Sequence, residues 1–99
     1  MSAAEVLQGC VVDGLSTMLA QSVTHEGGRA RETNFDRYPL LRMPHTPEVD
    51  VHFIESDFAP TGLGEPALPP RAPAVCNAIF AASGHRIRRL PIAEEGFTV

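Results

Sequence analysis

Lysine is absent from these 99 residues, and all eight basic side chains are arginines. We read this as genome composition, not chemistry. Positive charge is short as well, since twelve acidic residues outweigh the eight basic ones and leave a net charge of −4. A chain of that sign lacks the basic footprint that a nucleic-acid backbone demands. No apolar run approaches the ~20 residues that a membrane helix needs. Met1-Ser2-Ala3-Ala4-Glu5 lacks the basic region of a signal peptide, so the chain reads as soluble and without an export address, cytoplasmic or periplasmic. There are only two cysteines, Cys10 and Cys76, and neither has a second cysteine or a histidine nearby in sequence. Such residues read as reduced thiols rather than as a disulfide or a metal site.

Motifs are sparse too. His25, His45, His52 and His85 follow no metal-ligand spacing and read as scattered surface histidines. No G-x-S-x-G or Cys/His arrangement marks a nucleophile. Gly62-Leu63-Gly64 lacks the third glycine of a dinucleotide fingerprint. There is no internal repeat. What remains is an average globular composition, 43% hydrophobic and 20% charged, in a chain long enough for one domain over residues 1–99. It can bury a core but cannot wall a large cofactor cavity alone.

Ser2 followed by Glu5 fits a capping box. Behind it, Leu7, Val11, Leu15, Met18 and Leu19 recur at helical spacing, which predicts a helix over Ala3–Gln21. Gly9 and Gly14 each cost that helix about 1 kcal/mol against alanine, and suggest that a backbone or a ligand comes close. Ser22–His25 and Arg29–Thr33 flank Glu26-Gly27-Gly28 and predict a hairpin. Asn34–Pro47 reads as a wandering connection. In Glu48–Ile54, Val49, Val51 and Phe53 alternate with Glu48, Asp50 and His52, which predicts a strand. Pro73–Ser83 reads as a second helix with Gly84 as its C-terminal cap, and Ile87–Leu90 as a last short strand. The expected fold is α+β: a two-layer sandwich, two main helices packed on a small antiparallel or mixed sheet.

Between strand and helix lies Gly62-Leu63-Gly64-Glu65-Pro66. The glycines let backbone pass close to another object, and Pro66 holds Glu65 extended. One carboxylate on a stiff stalk suits a general base offered into a pocket. A loop glutamate in water is the plain alternative.

The run from Pro60 to Phe80, with Gly62-Leu63-Gly64-Glu65-Pro66 near its start, resembles the C-terminal active-site segment of molybdenum hydroxylases, the xanthine dehydrogenase and aldehyde oxidase family. Ala82–Pro91 continues the likeness. Gln8-Gly9-Cys10 to Gly14-Leu15 resembles the helix that passes near the cofactor. Asn34-Phe35, Tyr38, Leu41-Arg42-Met43 and Pro47–Val51 look closest to the isoquinoline 1-oxidoreductase beta subunit branch, which bacterial aldehyde dehydrogenases of the same cofactor class share. The family's large subunits are several times longer, so the resemblance implies a C-terminal piece of one. It implies an oxidoreductase that hydroxylates N-heterocycles or oxidises aldehydes with oxygen taken from water, using molybdopterin cytosine dinucleotide. Glu65 then matches the catalytic base that takes the proton of the attacking hydroxyl. Gln8 and Gly64 fall in the cofactor neighbourhood. The implied partners are the rest of the large subunit and an iron–sulfur small subunit, since two cysteines hold no such cluster here. Alone, the chain is expected to carry no cofactor, to oxidise nothing and to self-associate. The alternative is a non-catalytic binding or assembly module that retains the fold and pairs with another chain.

Overall fold

A computed structural model describes residues 1–98. Helix α1 spans Ala3–Ala20. Its capping box forms: Ser2 Oγ accepts from the Glu5 N–H at 3.2 Å, and the Glu5 carboxylate accepts from the Ser2 N–H at 2.6 Å. That second bond to a charged acceptor lowers the Glu5 pKa from its ordinary value. Cys10, Gly14 and Met18, four residues apart, are buried together with Leu19.

Strands β1 (His25–Glu26) and β2 (Arg29–Ala30) form the expected antiparallel hairpin. Gly27 and Gly28 both take positive φ, 58° and 77°, as a two-residue hairpin turn requires. Beyond the two strands the Arg31 N–H donates to Thr24 O at 2.8 Å, and the Glu32 carboxylate takes the Thr24 N–H and hydroxyl. Asn34–Pro47 wanders as expected, with a 3₁₀ turn at Met43–His45. One hydrogen bond, from the Leu41 N–H to the buried Ser16 hydroxyl at 2.9 Å, pins it to α1.

Helix α2 spans Leu68–Ser83, five residues earlier than the sequence predicts. Prolines explain both the expectation and the outcome. Pro69 and Pro70 sit in the first turn, where no helical partner exists for an N–H anyway. Only Pro73 lies deep enough to forfeit a helical hydrogen bond. Gly84 caps the helix at φ 75°, donating to Phe80 O at 2.7 Å.

The α+β class stands: two helices and one two-stranded antiparallel sheet. The expected strands at Glu48–Ile54 and Ile87–Leu90 do not form, so α1 packs on α2 and on a 3₁₀ turn at Ile92–Glu95, not on a sheet. All four residues of β1 and β2 are exposed. In Ile87–Leu90, the Arg88 and Arg89 amides are taken by the Glu95 carboxylate, at 3.0 and 2.9 Å, instead of by a neighbouring strand. The same carboxylate accepts from His85 at 2.9 Å, and the His85 ring lies 5.3 Å from that of Phe97.

The core is small. Met18, Leu19, Ile87 and Ile92 are its buried members, flanked by Leu15, Leu41, Val75, Cys76, Ile79 and Phe97. Each such side chain contributes about 1.5–3 kcal/mol when fully buried. The radius of gyration, 16.0 Å, exceeds the ~13 Å of a compact domain of this length. Met43, Ile54 and Phe58 are nearly as exposed as in an unfolded chain.

Candidate functional site

Residues Gly64 to Ala67 form the turn that leads into α2. The Glu65 carbonyl accepts from the Leu68 N–H at 2.9 Å, so the turn is continuous with the helix. The Glu65 side chain is exposed. A side chain added at Gly62 or Gly64 would meet nothing within 4 Å. The two glycines therefore border open space, and a large group could lie against this backbone.

The first turn of α2 is locked to α1 by Arg71, a residue that motif reading passes over. Its Nη1 donates to Cys10 O at 3.2 Å. Its guanidinium lies on Gly14, in the space a Cβ there would occupy. This accounts for the helical glycine: a side chain comes close, not a backbone or ligand. Gly9, by contrast, has nothing within 4 Å. The signal in sequence is the absence of a side chain at Gly14, which does not say what fills the gap. Burial lowers the Arg71 pKa from the ordinary arginine value, while Cys10 and Asp13 act the other way. Arg71 Nε is buried with no partner among the described residues. A cleft of about 270 Å³, lined by Gly14, Thr17, Gln21, Arg71 and Pro91, opens beside this contact.

Gln8 is half-buried on α1, and its Nε2 donates to Val49 O at 3.1 Å. It ties the 48–54 segment to the helix and keeps its amide oxygen for another donor. Gln8 thus meets Val49, while Cys10 and Gly14 meet Arg71; no hydrogen bond among the described residues joins Gln8 to Gly64 or Glu65. Among the described residues no group of histidine, cysteine, aspartate and glutamate side chains could hold a metal ion. Both cysteines are free thiols, Cys10 buried and Cys76 half-buried. The glycine-bordered surface and the spare amide oxygen of Gln8 fit contact with one side of a large polar cofactor. They do not fit direct ligation of a metal.

With that geometry in view, the comparisons place the chain. It is homologous to a segment of large dehydrogenase subunits. A membrane-bound aldehyde dehydrogenase of Gluconacetobacter polyoxogenes, whose name carries pyrroloquinoline quinone, is 39% identical over 86% of this chain. Isoquinoline 1-oxidoreductase subunit beta of Brevundimonas diminuta is 35% identical over 87%. A putative xanthine dehydrogenase molybdenum-binding subunit of Escherichia coli is 33% identical over 68%. This likeness to a segment of aldehyde, isoquinoline and xanthine dehydrogenases agrees with the Pro60–Phe80 resemblance. It spans 10–11% of the length of each of the three. No family model matches it. No helix among the described residues is long and apolar enough to cross a membrane.

Proposed function

We propose that this chain is the C-terminal piece of a molybdenum hydroxylase large subunit and carries its general base, Glu65. The observation that carries this reading is the exposed carboxylate between open-sided glycines and a helix locked in place by Arg71, in a chain homologous to isoquinoline 1-oxidoreductase subunit beta. Substrates are N-heterocycles or aldehydes. The group is molybdopterin cytosine dinucleotide, which when bound supplies a two-electron oxidation with water as the oxygen source. Glu65 takes a proton at its carboxylate. Pro66 and the Glu65–Leu68 turn fix the backbone from which that carboxylate is offered. Gly64 lets the cofactor approach the backbone, and the Gln8 amide oxygen accepts a hydrogen bond from it. The rest of the large subunit encloses the substrate, and an iron–sulfur subunit removes the electrons. The chain alone carries no cofactor and does not turn over.

The test places this segment in the Brevundimonas beta subunit and replaces Glu65 by Gln. Glutamine keeps the size but accepts no proton at useful pH. Turnover should fall by ~10²–10⁴, with molybdenum content unchanged. Glu55→Gln should change turnover less than a few-fold. Turnover of Glu65→Gln within a few-fold of the parent, at full molybdenum content, sinks the assignment.

A second reading, a binding or assembly module without chemistry, draws on the exposure of Phe53, Ile54 and Phe58. It requires that Glu65→Gln leave turnover intact while pairing with another chain persists.

A further inference from the structure

We propose that residues 48–54 add as a strand to an open β-sheet edge in the remainder of the large subunit. This rests on the reading of the chain as one piece of such a subunit.

The segment has the habit of a strand and lacks only a neighbour. Residues 46–56 run without a turn or bend. Burial alternates with period two: Val49 and Val51 are half-buried, while Glu48, Asp50 and His52 are exposed. The imidazole of His52 lies 3.0 Å from the Asp50 carboxylate, so these two side chains, two residues apart, share a face. That is the side-chain periodicity of a pleated strand. Yet among the described residues none of its backbone N–H groups finds a partner, and its one bonded carbonyl is that of Val49, which takes the Gln8 amide.

Backbone groups of successive strand residues point to opposite edges. Gln8 therefore marks the edge to which Val49, Val51 and Phe53 direct their peptide groups. The other edge, carrying the N–H and C=O of Asp50 and His52, has no hydrogen-bond partner among the described residues. Phe53, 57% exposed, continues the apolar face past the end of the cover provided by α1. A free edge beside an apolar side chain fits strand addition, where backbone bonds give affinity and alternate side chains give register. The occupant is indicated by length. The homologous subunits are about nine times longer than the region they share with this chain, so the partner is in the rest of such a subunit.

The probe is the Brevundimonas beta subunit with its homologous segment deleted, co-expressed with this chain. A complex should form in which the amides of Asp50 and His52, on the open edge, exchange at least ten-fold more slowly than in the free chain. His52→Ala keeps the N–H and should bind like the parent. His52→Pro removes an N–H from the open edge and should weaken binding at least ten-fold. Proline there breaks no existing bond, and it favours an extended Val51; far-UV spectra of the free variants check that the helices survive. Phe53→Ser tests the apolar face separately and should also weaken binding. Failure to form a complex overturns the proposal. So does a complex whose Asp50 and His52 amides exchange at the free rate, or equal binding by His52→Pro and His52→Ala. Full protection in the isolated chain at high concentration would make a second copy the occupant and overturn it too. Loss of Glu65 as base would appear only in turnover of the loaded complex, leaving exchange protection untouched.

Discussion

Replacing Gly14 by alanine should destabilise the chain, although alanine is the better helix former. In an exposed helix the change gains about 1 kcal/mol. Here the added methyl occupies the place of the Arg71 guanidinium, so that group must leave. Its hydrogen bond to Cys10 O is then lost, worth about 1.5–3 kcal/mol for a charged donor. The net cost is therefore about 0.5–2 kcal/mol. In an Arg71→Ala background the guanidinium no longer fills the place of that methyl, and Gly14→Ala should stabilise by about 1 kcal/mol. The two changes should thus couple by about 1.5–3 kcal/mol, read from urea unfolding of the four proteins in a double-mutant cycle. Coupling below ~0.5 kcal/mol, the level at which separate sites add, would refute the lock. It would also remove the reason given for the fixed position of the Glu65 turn. Gly9→Ala, with open space around it, serves as the control and should stabilise in both backgrounds.

Glu95 gives a prediction in pH. Its pKa is lowered chiefly by the His85 hydrogen bond, then by the Arg88 amide. A carboxylate depressed on folding contributes stability above its unfolded pKa, about 4.3, and loses it as pH falls through the folded value. Urea midpoints should fall on acidification below that range, and less so in Glu95→Gln, whereas parallel curves would contradict the anchoring role. The isolated chain should self-associate at high concentration, because Phe53, Ile54, Phe58 and Met43 are exposed together with little core beneath. Sedimentation of a clean monomer would speak against it.

What was legible in the sequence was local. The Ser2–Glu5 box needs only four residues, and the Gly27-Gly28 turn and Gly84 cap need only positive φ, so all three follow from residue type. The start of α2 was misplaced because prolines at 69 and 70 look like breakers until they are counted from the helix end. The segment at 48–54 shows the opposite case. Its alternation is real and visible in burial, but a strand is a property of two chains of backbone, and this chain offers none beside it. Ile87–Leu90 fails because the Glu95 side chain, several residues on, competes for its amides. The sequence singles out Glu65 as a candidate by its flanking glycines and proline but not Arg71, whose contact depends on which helix it crosses.

The small core also sets when this chain can fold. Met18 and Leu19 come from its beginning, Ile87 and Ile92 from its end. Helix α2, which also packs on α1, begins only at Leu68, so closing a long loop must precede the contacts that reward it. On the ribosome, α1 emerges well before α2 and the Ile87–Ile92 segment that cover it, and waits with its apolar side outward. Any segment that shields α1 during that wait, whether a chaperone or a neighbouring part of the subunit, acts on yield without touching the finished structure.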